Sequence, residues 1–154
     1  KQALDPIRNN YDFIIIDCPP SLSLLTLNAL AAADGIIVPM QCEYFALEGL
    51  SSLINTINAL KQKLNPALEI DGIIRTMYDV RNNLANAVSN ELTQHFGDTV
   101  FRTLVPRNVR LAEAPSHGMS ILRYDRSSRG ALAYMGLAGE MIRRNNKTKN
   151  KESV

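Results

Sequence analysis

The sequence predicts an α/β fold, a mainly parallel sheet flanked by helices. Three observations lead there. Short apolar runs rich in β-branched residues, at 13–16, 35–39, 70–77 and 99–105, read as strands of a buried sheet. Between them lie stretches of helical spacing, above all Leu47, Leu50, Leu53, Ile54, Ile57 and Leu60. Gly, Pro and Asn punctuate the transitions.

Taken in order, 1–10 reads as the end of a helix and a turn broken by Asn9-Asn10. The first strand, 13–16, ends abruptly in Asp17, and Pro19 and Pro20 stop it from continuing. Ser21 and Ser23 are candidate N-caps of a Leu- and Ala-rich helix that reaches about Ala33. The second strand is 35–39, followed by a loop at 41–44. An amphipathic helix then covers about 45–64, and Asn65-Pro66 stops it. The third strand covers 70–77, and a helix over about 82–96 is closed by Gly97. The fourth strand, 99–105, leads into a long loop, PRNVRLAEAPSHG. A last helix covers about 128–145. The chain reads as one domain over 1–145 with a polar, disordered tail over 146–154.

Hydrophobic residues make up 45% and charged residues 21%, an ordinary globular balance. No apolar stretch is long and clean enough to span a bilayer. The start, KQALDPIRNNYD, has no apolar segment behind a basic beginning, unlike a signal peptide. Cys18 and Cys42 lack C-x-x-C spacing and are expected as small buried thiols in a reducing cytosol. Charge is unevenly spread. Residues 1–101 carry 6 Lys/Arg against 11 Asp/Glu, and residues 102–154 carry 11 against 4. The basic half suits a polyanion, although part of it is a tail of the kind that is usually just solvated.

One carboxylate stands out. At the carboxyl end of a parallel strand, where open α/β sheets place ligands, Asp17 either caps a loop or supports Mg²⁺. His95 and His117 have no readable triad or metal-ligand neighbours and are expected to be structural.

The segments YDFIIIDCPPSLSLLTLNAL, VPMQCEYFALEGL, TMYDVRNNLA and VPRNVRLAEAPSHG, then YDRSSRGALAY, resemble the carboxyl-terminal part of ParA/Soj chromosome-partitioning ATPases. These belong to the broader MinD-like group. The resemblance covers 11–144 and implies a P-loop NTPase fold. No G-x-x-x-x-G-K-[ST] occurs in these 154 residues, so the part that cradles phosphates is not among them.

The resemblance implies roles for individual residues. Asp17 would support Mg²⁺ through water, as the acid of the Walker B strand. Pro19, Pro20, Ser21 and Ser23 would form the switch that reports the γ-phosphate. Thr76, Met77, Pro106, Arg107 and Asn108 would lie near the adenine of ATP. Arg81 and Arg110 would bind double-stranded DNA without sequence preference. Apart from the resemblance, Arg107, Arg123, Arg126 and Arg129 either add to that field or, as is commoner for single arginines, are simply exposed. The intact protein would be a cytoplasmic, nucleoid-associated ATP hydrolase that dimerises on ATP. A ParB/Spo0J-type partner would stimulate it, and the replicon would be a chromosome or a plasmid.

Other readings differ in kind. A MinD-like membrane ATPase needs bulky apolar residues in a terminal helix, and NNKTKNKESV offers only Val154. An iron–sulfur reductase of the nitrogenase iron-protein kind needs two cysteines, but Cys18 directly follows Asp17, unlike that family. A non-catalytic module that binds DNA or a partner is the remaining alternative for 1–154 alone.

In the family the P-loop strand lies between the strand that ends in Asp17 and the strand at 35–39. Without it, those two strands are expected to pair directly or to have the gap filled.

Overall fold

The computed structural model describes residues 1–19, 21 and 23–152, with the side chains of 147–152 left aside. Two compact units emerge, Lys1–Ile37 with Gly49–Asp71, and Val38–Glu48 with Gly72–Val154. Helices α1 (Leu24–Ala32), α2 (Ala46–Lys63), α3 (Asn83–Phe96), α4 (Val109–Glu113), α5 (Ile121–Tyr124) and α6 (Arg129–Glu152) alternate with strands β1 (Gly35–Gln41), β2 (Glu69–Tyr78) and β3 (Val100–Pro106). The strands form one sheet in the order β1-β2-β3, and β2 and β3 run parallel. The α/β class is therefore as expected. Strands β1, β2 and β3 and helices α2 and α3 fall within about two residues of their expected bounds.

In the first unit, α2 buries Leu50 and Ile57, from the stripe of helical spacing. Asn65, read as a helix stop, does a second job. Its buried amide donates to Leu30 O at 3.1 Å and Ala33 O at 2.8 Å, carbonyls that the end of α1 leaves unpaired. Arg8 bonds both oxygens of Asp34 at 3.0 Å, which ties the turn at Arg8–Asn10 to the start of β1.

In the second unit, Ile73, Leu92, Val100, Phe101, Ala131 and Leu137 are buried. Helix α6 lies on β3, where its buried Glu140 accepts from the backbone N–H of Arg102 and of Thr103 at 2.9 Å each and from the Thr103 hydroxyl at 2.8 Å. Successive N–H groups of a regular strand point to opposite sides. Both reach one carboxylate here because β3 is irregular. Between the pairs Ile73↔Val100 and Arg75↔Leu104 its register shifts against β2. Arg144 completes the clamp, bonding Glu140 at 2.9 Å and Val100 O at 2.8 Å and stacking over the Phe101 ring at 4.1 Å. Burial alone would raise the Glu140 carboxyl, but these bonds hold it down at about 2.

Several expectations fail. Residues 13–16 are not a strand. They run through an irregular segment with Phe13, Ile14, Ile15 and Ile16 exposed, Ile15 by 82%. Among the described residues nothing pairs with them. A strand is held by ladder bonds to a neighbour, and propensity without that neighbour does not make one. The gap is not closed by pairing with β1 either, since 13–16 forms no strand and β1 stands at the edge of the sheet with β2 as its one strand neighbour. Cys18 is exposed, not buried. The 106–118 loop contains α4 and a 3₁₀ turn at Ala114–His117, and α5 follows. Helix α6 continues past 145 to Glu152. Residues 153 and 154 of the expected disordered tail, Val154 included, lie outside the described residues.

Candidate functional site

The expected site residues fall into two groups, one in each unit. In the first, Asp17 is exposed and stands in the irregular segment, not at a strand end. Among the described residues it makes no hydrogen bond or ion pair, and no group of three or more His, Cys, Asp or Glu could hold a metal ion. Pro20 lies outside the described residues. Ser23 does occupy the N-cap of α1, yet its side chain accepts no capping bond, and its Oγ is buried without a partner. The local order comes from Thr26 instead. Its hydroxyl donates to Ser21 O at 2.7 Å and to Pro19 O at 3.5 Å, linking two of the expected switch positions to the first turn of α1.

The second group is brought together by β2 and β3. Their carboxyl ends are side by side, with Tyr78 paired to Pro106 and Arg107 N donating to Tyr78 O at 3.1 Å. Between Arg75↔Leu104 and Tyr78↔Pro106 the register shifts again, and Met77 absorbs the extra residue at φ +52°. A left-handed backbone on a residue other than Gly, Asn or Asp is strained, and such strain gathers at functional sites. Thr76 is fixed by its hydroxyl bond to Met40 O at 3.3 Å. Tyr78 donates to Asn86 Oδ1 at 2.6 Å, and Asn86 holds Val80 O at 2.9 Å, which fixes the turn before α3. Asn82 caps that helix through bonds from the N–H of Leu84 and Ala85. On the β3 side, Asn108 occupies the N-cap of α4 without capping it, and its Oδ1 is buried and unpartnered. Thus Thr76, Met77, Pro106, Arg107 and Asn108 form one ledge with an exposed Met77 side chain, a half-buried proline and, beneath it, an amide oxygen that no protein group satisfies.

Arg81 and Arg110 follow these neighbouring strand ends, and both are held by acids. Asp79 Oδ1 accepts from Arg81 N and Nε at 3.0 Å each, and Oδ2 accepts from Nη2 at 2.8 Å. Those bonds, the side-chain ones foremost, hold the Asp79 carboxyl at about 2. Arg110 Nη1 bonds Glu113 Oε2 at 2.8 Å, and its Nε lies 3.5 Å from Asp125 Oδ2. Tyr124 donates to the same Glu113 oxygen at 3.1 Å and stacks on His117. Hydrogen bonding to Arg110, then to Tyr124, lowers the Glu113 carboxyl. His95 bonds the Glu91 carbonyl, one turn back in α3, at 2.9 Å. The acids beside the arginines were readable as the spacings D-x-R and R-x-x-E, but sequence gives no sign of which arginine pairs.

The family model AAA_31, described as an AAA domain, matches residues 1–70. The sporulation initiation inhibitor protein Soj of Bacillus subtilis is 55% identical over 141 residues, 92% of this chain and 56% of Soj. The chromosome partitioning protein ParA of Myxococcus xanthus is 54% identical over 144 residues, 94% of this chain and 51% of ParA. The crystal structure of cobyrinic acid a,c-diamide synthase from Mycobacterium smegmatis with ADP and magnesium superposes with a TM-score of 0.74 at 34% identity, over 94% of this chain and 52% of that one. The chain thus spans about half the length of the relatives it matches. Its fold is that of the ParA/MinD-like P-loop ATPases. Within that class the chain belongs to the ParA/Soj family of chromosome-partitioning ATPases. No described helix is long and apolar enough to cross a membrane.

Proposed function

We propose that the chain is the carboxyl-terminal part of a DNA-segregation ATPase, the part that meets the base of ATP and the DNA. The observation that carries this reading is the ledge at the ends of β2 and β3. A buried amide oxygen without a partner is costly unless a ligand completes it, and adenine offers an amino donor beside a flat ring. The related synthase was crystallised with ADP and magnesium, which supports nucleotide use. Asp17 is a single exposed carboxylate, which suits an ion that keeps most of its own water, as Mg²⁺ does. Mg²⁺ would supply charge compensation to the phosphates. Pro19, Pro20, Ser21 and Ser23 would couple that charge to α1 as an order-to-disorder switch.

In the intact protein ATP would drive dimerisation and so double the arginines presented to nonspecific DNA. That is a physical reason for DNA binding to follow the nucleotide state. A ParB/Spo0J-type protein is the expected partner, in a cytoplasmic, nucleoid-associated cycle. Phosphoryl transfer needs donors around the β- and γ-phosphates, and residues 1–154 contain no glycine-rich phosphate loop. Residues 1–154 alone would therefore hydrolyse no ATP and bind it weakly. Phosphate release and calorimetric ATP binding, on this chain and on the full-length protein, test the reading. Turnover that appears only at full length and vanishes in Asp17→Ala is the expected result. Tight binding with turnover by 1–154 alone refutes it.

A further inference from the structure

We propose that Asp79, and Glu113 together with Asp125, act as built-in counterions that hold down the DNA affinity of Arg81 and Arg110. This rests on the DNA-binding reading of those two arginines and concerns how that site is tuned. An arginine as exposed as Arg81 would be expected to stand free, and it does not. Arg81 has a side chain 87% exposed, yet three of its N–H groups, one from the backbone and two from the guanidinium, point at one carboxylate. Arg110 faces two acids, so its immediate group of three charges sums to −1. By contrast, among the described residues Arg107, Arg123, Arg126 and Arg129 form no ion pair, although all four are exposed.

The two carboxylates whose pKa is lowered stay charged at neutral pH. Each would stand beside any phosphate that approached its arginine and repel it. Each also takes the place of a solution counterion. A paired arginine then neutralises DNA phosphate less completely than a free one and displaces fewer of the cations condensed there, because its own charge is already offset from within. Nη1 of Arg81 and Nη2 of Arg110 carry no hydrogen bond to these acids, so both arginines still have N–H groups to offer. The pairing attenuates the site without blocking it.

The test is binding of a short nonspecific DNA duplex to full-length, ATP-bound protein, followed by fluorescence anisotropy at several salt concentrations. Asp79→Asn should tighten binding about threefold to tenfold at low salt and steepen the salt slope by about 0.9. Arg81→Ala should lower the slope by clearly less than that in the wild type, and by about 0.9 in the Asp79→Asn background. Asp125→Asn, which can still accept from Ser127, repeats the test at Arg110 should Asp79→Asn fail to fold by circular dichroism. If Arg81→Ala weakens binding while Asp79→Asn or Asp125→Asn leaves it unchanged or weaker, the acids only position the arginines and the proposal is overturned. If Arg81→Ala and Arg110→Ala both leave affinity and slope unchanged, the DNA-binding reading itself fails.

Discussion

Residues 13–16 and strand β3 are both short apolar runs that read as buried strands, yet only β3 is one. The sequence FIII is, if anything, the better strand former of the two, since β3 contains Arg102 and ends in Pro106. The difference lies outside each run. Strand β3 has β2 on one side, and on the other a helix that brings Glu140 and Arg144 to its backbone. Residues 13–16 have neither, so their apolar side chains stay in water. A strand is a property of a pair, and an apolar sequence only makes a segment eligible.

Five experiments would break or sharpen that comparison. The largest effect is expected from Glu140→Ala, which strips two backbone N–H groups and an arginine of their shared acceptor. It should cost about 3 kcal/mol in denaturant unfolding of this chain. A cost under 0.5 kcal/mol would show that β3 does not depend on the clamp. The same group predicts the acid limb. Its carboxyl is lowered from 4.5 to about 2, so its contribution is complete above pH 4.5 and is lost as pH falls towards 2. Glu140→Gln should flatten the stability profile in that window.

Next comes the bulge that ends β2. Met77→Val should destabilise by roughly 1–2 kcal/mol more than Met77→Gly, because glycine accepts a left-handed backbone and a β-branched residue resists it. Equal effects would mean that the position is not strained. Then the two N-caps can be compared directly. Asn82→Ala removes two real capping bonds and should cost about 1 kcal/mol, whereas Ser23→Ala removes none and should cost less than about 0.5 kcal/mol. The smallest effect is expected at Ile15. Ile15→Asp should shift stability by less than about 0.5 kcal/mol, and amides of 13–16 should exchange far faster than those of β3. Slow exchange at 13–16 would show a paired strand and undo the contrast.

Much of the fold was legible because its signals are local or have their partners within these residues. The helical stripe of α2, the punctuation by Asn82 and Gly97 around α3, and the β-branched runs of β1 and β2 each carry their own evidence. The short helices at 109–124 were hidden by the Pro and Gly around them. The second role of Asn65 depends on a contact with α1 more than thirty residues away in sequence. At the site, Thr76, Met77, Pro106, Arg107 and Asn108 were recognisable as two strand ends, and the parallel pairing of β2 with β3 brings them together. The backbone of Met77 and the choice of Arg81 and Arg110, among all the arginines, to pair with nearby acids were not recognisable, since no residue type announces a left-handed φ or chooses among arginines. The role of Asp17 depended on a strand that is not formed here.

The carboxylate on β3 also gives the sheet a direction. Of the two outer strands, β3 has successive N–H groups occupied by Glu140 and carbonyls of Val100 and its neighbour Thr99 turned to Arg144, so another strand has little backbone left to join there. Strand β1 carries no such cover among the described residues. The sheet is finished on one side and open on the other, and any strand that extends it must arrive beside β1. Growth of this sheet is one-way, and a single glutamate more than thirty residues from its target in the chain closes the other way.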